Sequence, residues 1–190
     1  MIPLLIEVGE IMDELFWYEA YGARDELLKG LPSESAERFV QINYGPWDRL
    51  NNNEPFIEGV GPKPAGANFY PADMTKEEFE ASELEDKTSL YTFIRRNDNG
   101  DLITVPYHEI FAEQVGRASE LLKRAAELAD NPELKRYLEL RAEALLNDDY
   151  RESDLVWMDM KTNQIDIITG LLKHTKTSCL ATNPLMRPMC

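Results

Sequence analysis

Thiols and imidazoles are scarce in this sequence: two cysteines, Cys179 and Cys190, and two histidines, His108 and His174, among 190 residues. Both cysteines lie in the last twenty residues, so the remainder carries no disulfide framework and no thiol chemistry. Basic side chains are also in short supply, 20 Lys+Arg against 35 Asp+Glu, for a net charge of −15. That balance argues against nucleic-acid and anionic-membrane partners, whose phosphates would be repelled. No apolar run approaches the roughly 20 residues of a membrane helix. The opening "MIPLLIEVGEIMDELFWYEAYG" has no basic lead and meets Glu7 and Glu10 before a signal-like core develops, so a cytoplasmic protein is expected.

What is present is 43% hydrophobic, enough for a core, and strongly periodic. Leu4, Leu5, Val8, Ile11, Met12, Leu15 and Phe16 recur at threes and fours between acids, which predicts an amphipathic helix ending near Gly22. Trp17 and Tyr18 widen its apolar side. A second short helix is expected in "ARDELLKGL" and a third in "SESAERFVQINY", capped by Ser33 or Ser35 and stopped by Gly45-Pro46. From Gly45 to Asp73 the chain is too rich in proline and glycine for regular structure, and Trp47, Phe56, Phe69 and Tyr70 would anchor this long loop.

Thr75 and Glu78 form a capping box that opens another short helix. "LYTFIRR" and "DLITVP" flank "NDNG", where Asn99-Gly100 predicts the turn of a β-hairpin. Phe111, Val115, Ala118, Leu122, Ala125 and Ala129 mark the buried face of a long helix. Glu113 with Arg117, and Glu120 with Arg124, are i, i+4 pairs on its outer face. Asn131 and Pro132 then start a helix that turns Leu134, Leu138, Ala142 and Leu145 back on it, an αα-hairpin. "SDLVWMDM" is a further helical or extended turn, and "QIDIIT" has the residue types of a strand. The expected fold class is mainly α with a small β component.

Catalytic motifs are thin. His108-Glu109 opens like a zinc helix, but the position four residues on from His108 is Ala112, and one imidazole does not hold a catalytic zinc. Asp148, Asp149, Glu152 and Asp154 lack the spacing and glycine of a calcium loop and read as a solvated helix boundary. Trp157, Met158 and Met160 read as core. No Ser/His/Asp set and no glycine-rich phosphate loop stands out.

Taken together, "INYGPWDRL", "GPKPAGANFYPADMTKEEF", "SLYTFIRR", "VPYHEIF" and "YLELRAEALLNDDYRESDLVWMDMKTNQIDIITG" resemble, in order, the amino-terminal part of the dipeptidyl peptidase III family of zinc peptidases, in its bacterial branch. The likeness runs from about residue 4 to residue 170. It implies part of one lobe of a two-lobed peptidase, with further sequence upstream of Met1 in the family. The family's zinc is held by a His-Glu-x-x-Gly-His or His-Glu-x-x-x-Gly-His helix and a later Glu-Glu-x-Arg segment. Neither motif occurs here, so the resemblance implies zinc in the parent enzyme but no zinc ligand and no catalytic residue in this chain.

After Gly170 the resemblance stops and the composition changes. Residues 171–190 hold three basic side chains and no acid, +3, whereas residues 1–170 hold 17 Lys+Arg against 35 Asp+Glu, −18; the two sum to −15. The family's continuation reads much like PIETYEDKLFGYKAAYEAYV. Synonymous codons for "LLKHTKTSCLATNPLMRPMC", preceded by one restored C, translate as PIETYEDKLFGYK, Ser or Pro, AYEAYV. The tail is therefore expected to be an out-of-frame translation that follows a partial peptidase lobe at 1–170, without a packed fold of its own.

In the family this region faces the zinc-bearing lobe, and the peptide lies extended in the cleft, partly as an added strand. The resemblance places Asp166 where a carboxylate receives the free amino group of an oligopeptide substrate. It implies an amino-terminal fragment, inactive alone, of an enzyme that releases N-terminal dipeptides, with a separately encoded zinc-bearing fragment as a conceivable partner. The alternative is a small acidic helical binding module using the loop from Gly45 to Asp73.

Overall fold

The computed structural model describes residues 1–171. The expected out-of-frame tail, with His174, Cys179 and Cys190, lies outside the described residues except for Leu171. The described chain forms α1 (Ile2–Ala20), α2 (Arg24–Lys29), α3 (Glu34–Asn43), β1 (Trp47–Asp48), β2 (Glu54–Pro55), a 3-10 turn at Ala67–Phe69, α4 (Lys76–Ala81), β3 (Thr92–Arg96), β4 (Leu102–Pro106), α5 (Tyr107–Ile110), α6 (Ala112–Glu127), α7 (Pro132–Ala144) and α8 (Arg151–Asp159). It is mainly α with two small two-stranded sheets, β1-β2 and β3-β4, as the sequence predicts. It divides into two compact units, residues 1–15 with 105–171, and residues 16–104.

In the first unit, the early turns of α1 bury Leu5, Val8, Ile11 and Leu15, and α6 buries Val115, Ala118, Leu121, Leu122, Ala125 and Ala126. α6 and α7 form the expected αα-hairpin, with Leu134, Leu138 and Ala142 all buried and Leu145 buried just beyond. Asn131 starts α7 as predicted: its Oδ1 accepts the Glu133 and Leu134 N–H groups at 2.9 and 3.0 Å, and Pro132 needs no such partner. Across the hairpin the buried Ser119 hydroxyl donates to the Ala142 carbonyl at 2.7 Å, satisfying a polar group the core could not otherwise hold. Arg117 pairs with Glu7 of α1.

In the second unit, Ser33 caps α3, accepting the Ala36 N–H at 3.2 Å, and Tyr44 ends it in the left-handed region at φ 52°. The Gly45–Asp73 loop is packed and carries more regular structure than composition indicates. β1 and β2 pair antiparallel in the register Trp47↔Pro55 and Asp48↔Glu54. Their turn places Asn52 and Asn53 at φ 53° and 57°, a conformation asparagine tolerates better than other side chains. Trp47, Phe69 and Tyr70 are buried; Phe56 is half-buried with its ring 4.5 Å from that of Phe39. In the β3-β4 hairpin only Gly100 takes positive φ, 87°, while the Asn97 side chain accepts the Asn99 and Asp101 N–H groups. A three-residue turn with a glycine bulge, rather than the two-residue Asn-Gly turn, closes the hairpin.

The strand expected at "QIDIIT" does not form: residues 164–169 have no strand partner among the described residues. Residue types allow a strand; a ladder needs a neighbour. Nor is the whole of Trp157, Met158 and Met160 core, since Met158 is 61% exposed on the outer side of α8 while Met160 is buried.

Candidate functional site

The segment carrying Asp166 is tied at both ends to α7. At its start, the Glu133 carboxylate accepts the Lys161 and Thr162 N–H groups at 2.9 and 3.2 Å and the Thr162 hydroxyl at 3.1 Å. Those donors, the Lys161 N–H foremost, hold Glu133 below the usual carboxylate range. Asn131 adds a bond from Nδ2 to the Thr162 hydroxyl at 3.0 Å, so one residue both caps the helix and fixes the loop.

At the far end, the Thr169 N–H donates to the Tyr137 hydroxyl at 3.4 Å. Burial pushes the Tyr137 phenol up from its ordinary value. Beside it, the buried Arg141 guanidinium lies 5.2 Å from the Tyr137 ring centre and 5.1 Å from that of Tyr150, and pairs with Asp154 of α8 at 2.5 Å. Gly170 passes over this stack at φ 149°, where a Cβ would sit 3.2 Å from both Arg141 Nη1 and Tyr150 Cε1. Only glycine fits without displacement.

Between these anchors burial alternates: Ile165 and Ile167 are half-buried, Thr169 is buried, and Asp166 and Ile168 are exposed. Period-two burial is the signature of an extended edge. Asp166 is further fixed by the Trp157 indole, whose Nε1 donates to its Oδ1 at 2.8 Å. One carboxylate oxygen is thereby used, and the group remains open to solvent. Sequence reasoning named Asp166 but assigned Trp157 to the core; a contact across nine residues and an irregular turn has no periodic signature.

The other acids of this unit are dispersed. Asp148 accepts from His108, Nδ1 to Oδ2 at 2.8 Å, and burial raises its carboxyl in spite of that bond. Asp149 accepts the Arg151 N–H, and Asp154 faces Arg141. Among the described residues no three His, Cys, Asp or Glu side chains are grouped to hold a metal ion, and none of their helices is long and apolar enough to cross a membrane.

No protein-family model matches the chain. DPP III from Caldithrix abyssi is similar in structure, with a TM-score of 0.81 and 46% identity over 88% of this chain and 34% of that one. So is dipeptidyl-peptidase III from Corallococcus sp. strain EGB, with a TM-score of 0.75 and 36% identity over 84% of this chain and 32% of that one. Nudix hydrolase 3 of Arabidopsis thaliana is 28% identical over 231 residues, 89% of this chain and 30% of that protein. The chain spans about a third of the length of each of these relatives. Fold and sequence agree along most of the chain, and with two structures of one name: it belongs to the dipeptidyl peptidase III family.

Proposed function

We propose that the chain is an amino-terminal part of a zinc-dependent dipeptidyl peptidase, supplying peptide-binding structure but no chemistry of its own. The likeness to the Caldithrix protein carries this reading. The zinc that the family implies does not fit the described residues: His108 is engaged by Asp148, and among the described residues no ligand group converges around either.

Its own residues support a binding role. The 165–168 edge offers main-chain groups to an extended peptide, and Asp166, oriented by Trp157, offers an anion to the peptide's ammonium group. Ile2 and Ile6 on α1, Leu155 and Met158 on α8, and Ile168 are exposed apolar side chains, as expected of a surface that other parts of an enzyme cover.

A chimera tests the reading. Residues 1–170 replace the matched third of the Caldithrix protein, and dipeptide release from an oligopeptide is measured for the chimera and for the chain alone. Release by the chimera only is the expected result; release by the chain alone, or no release by a folded chimera, would sink it.

A further inference from the structure

The second unit contains a pocket that the peptidase reading does not use. Phe16, Glu19 and Ala20 of α1, Asn43 and Tyr44 at the end of α3, Arg49 after β1, and Lys63, Ala67 and Phe69 of the long loop line it. The cavity volume is about 40 Å³. About three waters or one compact anion would fill that space, at ~10–15 Å³ for each water.

Three features set it apart. Glu19 is 1% exposed, and its Oε1 has no hydrogen-bond partner among the described residues. Arg49 and Lys63 form no ion pair among the described residues. Aromatic faces and one neutral amide hold them: the Arg49 guanidinium lies 5.8 Å from the Phe16 ring centre and 5.9 Å from that of Tyr44, and the Lys63 ammonium lies 5.9 Å from that of Trp47 and donates to the Asn53 Oδ1 at 3.4 Å. Ring faces steady a cation without neutralising it. Burial, and then repulsion from Arg49, lowers the Lys63 ammonium from its ordinary value, so the two charges feel each other across the pocket.

The wall is built as well as charged. Asn43, itself buried, accepts the Arg49 N–H at 2.9 Å and donates to the Phe39 carbonyl at 3.0 Å. Ala67 stands at φ 47°, unusual for a residue with a side chain, and is fixed by its N–H to the Pro64 carbonyl at 3.0 Å.

We propose that this pocket binds a small oxyanion, with Arg49 and Lys63 supplying charge and Glu19 supplying a hydrogen bond from the floor. The opposite ligand, a cation, would meet two like charges. Burial holds the Glu19 carboxyl protonated up to about pH 8, so at neutral pH it donates rather than repels. The titratable and charged groups lining the pocket with it are Arg49, Lys63 and Tyr44.

Calorimetric titration of the purified chain with sulfate and, separately, with acetate, at constant ionic strength, tests the proposal. Sulfate does not titrate in the working range, and the two anions separate a tetrahedral ligand from a carboxylate. Saturable one-to-one binding of at least one is expected, abolished in the double variant Arg49→Gln, Lys63→Met. Between pH 7 and pH 9 wild-type affinity should fall about tenfold, as the fraction with neutral Glu19 falls from roughly nine-tenths to roughly one-tenth. Glu19→Gln should fall distinctly less. Binding of neither anion, or undiminished binding in a folded double variant, overturns the proposal. Should the double variant not fold, equal pH responses of wild type and Glu19→Gln overturn it.

Discussion

Arg96 of β3 grips Glu78 of α4 with both ends of its guanidinium, Nη1 to Oε1 at 2.7 Å and Nη2 to Oε2 at 2.9 Å, while its Nε reaches Asp73 at 2.9 Å. Glu78 lies in the first turn of the helix that Thr75 caps, so one carboxylate serves the helix start and ties it to the hairpin. The Arg96 bonds hold the Glu78 and Asp73 carboxyls below their ordinary ranges. A depressed carboxylate contributes stability above its unfolded value that is lost as pH falls through its folded value. Arg96→Met should therefore lower Tm by several degrees at pH 7, and the gap to wild type should shrink below about pH 4. Thermal melts at the two pH values measure both.

Glu19 has the opposite sign. Its folded-state value, about 8, lies above its ordinary 4.5 because burial disfavours the anion. The folded form holds its proton more tightly, so stability from this group is complete below about pH 4.5 and drains away as pH rises toward 8. The full loss is on the order of 5 kcal/mol, at ~1.4 kcal/mol per unit. Glu19→Gln should flatten this dependence and exceed wild type in denaturant midpoint at pH 8. A mutant that follows the same slope as wild type would show that another group is responsible.

Much of the fold is written locally. Leu134, Leu138, Ala142 and Leu145 are buried where a 3.6-residue period puts them, and Asn131-Pro132 marks the helix start by its own chemistry. Leu138→Ala, at a fully buried position, should cost about 2–5 kcal/mol in denaturant unfolding, the range for cavity-forming leucine truncations.

What depends on distant neighbours was not legible. β1 and β2 are two residues each, too short for alternation to register. The strand types of 164–169 found no second strand among the described residues. Glu19 did leave a trace: it continues the buried stripe of Val8, Ile11 and Leu15 by one i+4 step, yet an acid in an acid-rich helix reads as surface. Asp166 came only from resemblance, and its orientation by Trp157 is visible only in the fold.

Gly170 is the one backbone position in the candidate site where a side chain meets its neighbours on two fronts, Arg141 Nη1 and Tyr150 Cε1. Gly170→Ala should destabilise by more than the ~1 kcal/mol range of ordinary glycine replacements, because positive φ and crowding act together. A denaturant midpoint equal to wild type would mean that the 169–171 turn relaxes freely.

Asp166→Asn separates structure from recognition. The amide oxygen of asparagine still accepts from Trp157, so the melting curve of the chain should be unchanged, while the negative charge offered to an ammonium group is gone. In the chimera with the Caldithrix protein, kcat/KM for a peptide with a free amino terminus should fall about tenfold or more, as expected from losing a charge-assisted bond of ~1.5–3 kcal/mol. Asp166→Glu, which keeps the charge one methylene further out, should recover part of that loss. Full activity in the asparagine variant would leave Asp166 a surface acid at the edge of an extended segment, and the ammonium group would then need another partner.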